Sequence, residues 1–244
     1  MGKENSKYCV VDVGNTRVKV IDFENSEITG ETVINNEDKE RIKLLISSKK
    51  NAISILSSVL DEKQGLWIKQ ILEPNVVLTN ETPLPISISS YKTPKTLGSD
   101  RIANAVAADF YSKDPNCLVI DIGTCIKFDF VQNGHFRGGS ISPGYNMRLK
   151  AMHHFTGALP LLELEDESAL VGDSTKNAML SGVLNGVQSE IEGIINQYNQ
   201  QYQPLTIFLT GGDHKRFDKE FKNSIFADDY MTVKGLYLIL KHNV

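Results

Sequence analysis

Cysteine is scarce: 244 residues contain only Cys9, Cys117 and Cys125, each in or beside an apolar, strand-like run. No close Cys pair and no Cys/His cluster of zinc spacing accompanies them, which argues against a disulfide framework or structural zinc and for a reduced, cytoplasmic protein. Cationic excess is lacking too. Lys plus Arg number 26 against 30 Asp plus Glu, a formal charge of −4, so no broad positive field invites nucleic acid or an anionic membrane. The basic stretch from Lys39 to Lys50 carries Ile42, Leu45 and Ile46 and reads as the solvated face of an amphipathic helix. No apolar run approaches the roughly 20 residues that cross a bilayer. The opening MGKENSKY has no apolar signal-peptide region, and Gly2 with Ser6 matches a myristoylation pattern only weakly.

What is present is a core-forming composition, 41% hydrophobic and 23% charged, and a repeated phrase. VVDVGNT at residues 10–16 returns as VIDIGTC at residues 119–125. Each copy ends an apolar strand at an Asp, turns at a Gly and starts a second strand. Beyond the turn, RVKVIDF aligns with CIKFDF only if the second copy has lost one residue. Between and after the copies, strand patterns at 52–59, 76–78 and 205–209 interleave with helix patterns at 64–72, 97–110, 144–154 and 175–198 and a closing helix from Val233. An α/β fold with mixed sheets flanked by helices follows, duplicated, with a boundary in the turn KDPN. The expected domains are residues 1–115 and 116–244.

An Asp at the end of a buried strand is costly unless a cation meets it. Two such sites suggest ions, and glycine turns edged by Asn15, Thr16 and Thr124 let backbone and side-chain donors approach phosphate oxygens, with Lys19 adding a cation. One copy alone would be an Asx-stabilised hairpin. Two copies plus a third glycine turn, TGGD at 210–213, suggest a nucleotide cleft between related domains. That pattern resembles the actin, Hsp70 and sugar kinase superfamily, whose domains are ribonuclease H-like.

Within it, DVGNTRVK (12–19), TLGSDR (96–101), DIGTCIKFD (121–129), GGSISPGYNMR (138–148), STKNAMLSG (174–182) and TGGD together resemble type III pantothenate kinases. The resemblance implies ATP-dependent phosphorylation of pantothenate to 4'-phosphopantothenate, the first step of coenzyme A biosynthesis. Carried over, Asp12, Val13, Gly14, Asn15, Thr16, Arg17, Val18 and Lys19 form the first ATP loop, and Asp12 anchors Mg²⁺ directly or through water. Thr124 is a second ATP contact. Asp121 is a ligand of a monovalent cation, K⁺ or NH₄⁺. Gly98, Ser99, Asp100 and Arg101 form the substrate loop with Asp100 as general base, and Tyr91 and Thr175 are further pantothenate contacts. A homodimer with its active site near the subunit boundary is implied as well.

Bland readings stand beside these. Asp100 and Arg101 open an Ala-rich helix, where Asp is a favourable cap; GGSISPG could be only a shaping loop; and His153 with His154 reads as a packed or exposed helix pair. Another small-molecule kinase of the superfamily, or a non-catalytic transcription accessory factor, is the alternative function. Two positions depart from the family pattern. Cys125 stands for a usual Ala and Lys127 for a frequent Thr; Lys127 shares a strand face with Asp129, so it either pairs with that residue or partly substitutes for the monovalent ion.

Overall fold

The computed structural model describes residues 7–14, 16–58, 62–217 and 225–244. They fall into two compact units, Met1–Phe110 with Tyr230–Val244, and Tyr111–Asp229.

In the first unit, β1 (Lys7–Val13), β2 (Arg17–Glu24) and β3 (Glu27–Asn35) form an antiparallel meander. Strands β4 (Ile53–Ser58) and β5 (Val76–Val77) then add in parallel, giving the order β3-β2-β1-β4-β5. Strand β1 is central because Cys9, Val10, Val11 and Val13 are apolar on both faces, and all are buried. The parallel step from β3 to β4 needs a crossover, supplied by α1 (Lys39–Ser47). Asp38 caps this helix by accepting from Arg41 N, and Ile42 and Ile46, one turn apart, bury its inner face. Helix α2 (Glu62–Leu72) leads to β5, and the Ala-rich α3 (Ser99–Tyr111) is buried along most of its length.

The second unit repeats the plan. Strands β6 (Asn116–Ile122), β7 (Cys125–Gln132) and β8 (His135–Pro143) form the meander, followed by α4 (Tyr145–Phe155) and α5 (Thr175–Gln201). Strands β9 (Leu205–Thr210) and β10 (Ile225–Ala227) are parallel, and the order β8-β7-β6-β9-β10 matches the first sheet position for position. The expected one-residue loss lies in the turn. Val13 faces Val18 across the first hairpin and Ile122 faces Ile126 across the second, so residues 14–17 are answered by 123–125. The stretch GGSISP, for which a shaping loop was the bland alternative, lies within β8: Gly138 takes a φ of 106° and the ladder shifts between Phe130 and Val131.

The units do not follow the division at residue 115 to the chain end. Helix α6 (Met231–Asn243) leaves the second half and joins the first, packing on β1 and β4. Tyr237 stacks on Phe23 with ring centroids 4.4 Å apart and meets Tyr8 edge-on. The crossing with α3 is tight: a Cβ on Gly235 would stand 1.8 Å from the Ala103 carbonyl oxygen. An amphipathic helix states that it has an apolar face, not which sheet will cover it.

Candidate active site

The residues singled out by sequence form two sets, one in each unit. In the first, Asp12 is the penultimate residue of β1, opposite Lys19 on β2 and Ser57 on β4. Gly14 N donates to Arg17 O at 3.0 Å, closing the turn, and Thr16 and Arg17 are exposed beside it. Val13 and Val18 are buried beneath the turn, and Asn15 lies outside the described residues.

Asn36 holds this turn, a role that sequence reading missed. Its Nδ2 donates to Gly14 O at 2.8 Å and its backbone N donates to Thr16 O at 3.0 Å. Its Oδ1 is buried with no hydrogen-bond partner among the described residues. The available signal was the Asn pair ending β3, a common way to leave a strand, but only the pairing of β2 with β3 puts Asn36 under the turn.

The same sheet edge receives the second motif. Ser57, fully buried, donates from Oγ to Ser99 Oγ at 3.1 Å, tying the strand beside Asp12 to the start of α3. Asp100 follows in the first helical turn, half-buried, and its Oδ1 accepts from Arg101 N at 2.8 Å. This combines a negative side chain with the positive end of a helix. Arg101 is only 6% exposed; its Nη1 donates to the Tyr91 hydroxyl at 3.4 Å and its guanidinium lies 5.8 Å from that ring's centre. Gly98 and Ser99 line a cavity of about 340 Å³ with Ser58, Leu78 and Thr79. The Gly14 turn and the G-S-D-R loop thus lie at the C-terminal ends of the parallel strands β1 and β4, the edge at which open α/β sheets bind ligands.

In the second unit Asp121 is the penultimate residue of β6, opposite Lys127 and Thr210. Lys127 Nζ donates to Asp121 Oδ2 at 2.8 Å. Lys127 shares a strand face with Asp129, and the β6–β7 register also sets it opposite Asp121, the expected cation site. The turn is held by Gly123 N donating to Cys125 O and by Gly144 N donating to the carbonyl of Thr124, whose side chain is exposed. TGGD wraps the other side of Asp121. Gly211 takes a φ of 94°, Asp213 N donates to Ile122 O at 2.9 Å, and the His214 ring Nδ1 sits 2.7 Å from Gly211 O. Burial, and next the Asp213 carboxylate, push the hydroxyl of Tyr145 at the start of α4 upward, so it stays a neutral donor.

The GGSISPGYNMR segment is a brace. Ser142 Oγ donates to Glu190 Oε1 at 2.5 Å, and Arg148 bonds both Glu190 and the Pro143 carbonyl, linking β8, α4 and α5. Thr175 is the exposed first residue of α5, behind Ser174, which accepts from Asn177 N. Thr175 therefore lies in a different unit from Tyr91 and Asp100. His153 and His154 are exposed, and among the described residues no group of three or more His, Cys, Asp or Glu is arranged to hold a metal.

Two α/β units of one topology, each presenting an Asp at the end of its first strand before a short turn, have the fold of the actin, Hsp70 and sugar kinase superfamily. A glucokinase from an Antarctic psychrotroph shares it at 12% identity and a TM-score of 0.52, over 98% of this chain and all of that one. A Campylobacter jejuni protein described as a Baf family transcriptional activator shares it with a TM-score of 0.64 at 20% identity, over 96% and 98% of the two chains. The chain belongs to the type III pantothenate kinase family, whose model matches residues 8–197. A type III pantothenate kinase of Bacteroides fragilis is 38% identical over 237 residues, 96% of this chain and 97% of that protein.

Proposed function

We propose that the protein transfers the γ-phosphoryl group of ATP to the primary hydroxyl of pantothenate, giving 4'-phosphopantothenate and ADP, the first step of coenzyme A biosynthesis. Family membership supports the reaction. The observation that carries the site is the Ser57–Ser99 hydrogen bond, which fastens the Asp100 loop to the strand next to Asp12. Phosphoryl transfer has a loose transition state, so alignment and charge neutralisation carry most of the catalysis.

The donor set fits a magnesium nucleotide: a half-buried carboxylate, a glycine turn, an exposed hydroxyl and the buried acceptor of Asn36, which a donor such as metal-held water would satisfy. Asp12 would hold the magnesium, and Gly14, Asn15, Thr16, Arg17 and Lys19 the phosphates. Bound Mg-ATP supplies the phosphoryl group and the divalent charge. Asp100 takes the hydroxyl proton as the oxygen attacks phosphorus. Arg101, with Gly98, Ser99 and Tyr91, grips the substrate; a planar guanidinium suits its carboxylate in a way an ammonium does not. Cytoplasmic action and a homodimer with its pantothenate pocket near the subunit boundary belong to the same proposal.

ADP release by purified protein, measured with pantothenate and in parallel with hexoses, tests the reading. Turnover with pantothenate alone is expected. Turnover with a hexose and none with pantothenate overturns it.

A further inference from the structure

Asp121 is 9% exposed and a buried carboxylate needs a positive partner. The family resemblance implies a dissociable potassium or ammonium ion here. The residues present do not fit one. Oδ2 already accepts from Lys127 Nζ at 2.8 Å, with the two side chains 12% and 19% exposed. Oδ1 faces the backbone of Gly211, close enough that a Cβ there would stand 2.4 Å away. One carboxylate oxygen is therefore met by a cation, and the other packs against main chain. A second monovalent cation would have to approach a neutralised carboxylate and a like charge in a poorly solvated site, where repulsion is weakly screened.

The pairing is built into the fold. Asp121 and Lys127 are directly opposed in the antiparallel ladder of β6 and β7, so the ammonium reaches the carboxylate across neighbouring strands rather than along a mobile loop. TGGD, held to Ile122 O through Asp213 N, closes the opposite side.

We infer that the ammonium of Lys127 is a built-in replacement for the monovalent cation at Asp121, so that the protein binds nucleotide and turns over without potassium or ammonium. This rests on the kinase reading proposed above. A tethered cation is always present, whereas a dissociable one stabilises only as its concentration rises above its dissociation constant.

The test compares choline chloride, KCl and NH₄Cl at constant ionic strength, reading the thermal midpoint, calorimetric Mg-ADP affinity and pantothenate-dependent ADP release. Wild-type protein is expected to give the same midpoint and an affinity within about twofold in all three salts. Lys127→Thr, which removes the ammonium and leaves an oxygen ligand, is expected to gain a midpoint that climbs with KCl or NH₄Cl concentration and a saturable rise in affinity. A saturable response to either ion by the wild type, absent with choline, overturns the inference, as does a folded Lys127→Thr that ignores both ions. The wild-type titration decides by itself if the variant fails to fold. Failure to phosphorylate pantothenate in every salt would sink the kinase reading, whereas the midpoint would still report the ion.

Discussion

A carboxylate in the first turn of a helix favours that helix, as Asp100 does by accepting from Arg101 N, and the proposed reaction gives it a second role as base. The two roles separate by substitution. Asn accepts a hydrogen bond as a cap does but cannot take a proton, so Asp100→Asn should lower kcat by roughly 100- to 10,000-fold while the thermal midpoint moves little. Survival of most activity would reassign the base. Asn36→Ala removes the donor to Gly14 O and should raise the KM for ATP several-fold, from about 1 kcal/mol of lost hydrogen bonding, with kcat less affected. Cys9 shows burial acting on a titrating group. Burial first, and then the Asp22 carboxylate, push its thiol up to about 12. Its folded pKa lies above the ordinary value of 9.0, so its contribution to stability is complete below pH 9 and erodes as pH rises toward 12. Iodoacetamide near neutral pH should therefore label half-buried Cys125 before buried Cys9 and Cys117, read by peptide mass mapping. The motif residues at this scale were legible because strand ends and glycine turns carry strong local signals. Asn36 was not, because its role arises from a neighbouring strand.

Helices and strands were legible wherever period and breakers agreed. The closing helix, the strand at β9 and the Asn133-Gly134 hairpin turn, with φ of 50° and 71°, all lie where their patterns put them. β8 was harder, since two glycines read as loop until a neighbouring strand gives them partners. Glycines within helices divide in the same way. Gly235 faces Ala103 with no room for a methyl group, whereas Gly193 in α5 has nothing within 4 Å of where a Cβ would stand. Gly235→Ala should cost about 1–3 kcal/mol through overpacking, while Gly193→Ala should add about 0.5–1 kcal/mol through helix propensity. Thermal denaturation of the two variants checks the contrast; equal shifts would mean that the α3–α6 crossing is less tight than it stands here.

At the scale of the whole molecule, the chain returns to its beginning. Met231, Leu236, Ile239 and Leu240 of α6 are buried in the first unit. Removing residues 230–244 should therefore unfold residues 7–110, seen as loss of amide protection there by hydrogen exchange, although every motif in that unit is left in place. Retained protection would show that α6 is dispensable to the first sheet. The sequence by itself determined the duplication, the α/β class, the strand-end carboxylates and the family, because each is written in contiguous residues whose period and turn chemistry are local. The tertiary structure alone decided that α6 crosses between halves, that Asn36 holds the first turn, and that the Lys127 ammonium bonds Asp121 directly across the β6–β7 ladder. Those pairings depend on which surfaces bury each other and on the register between strands, and neither is a property of any one segment.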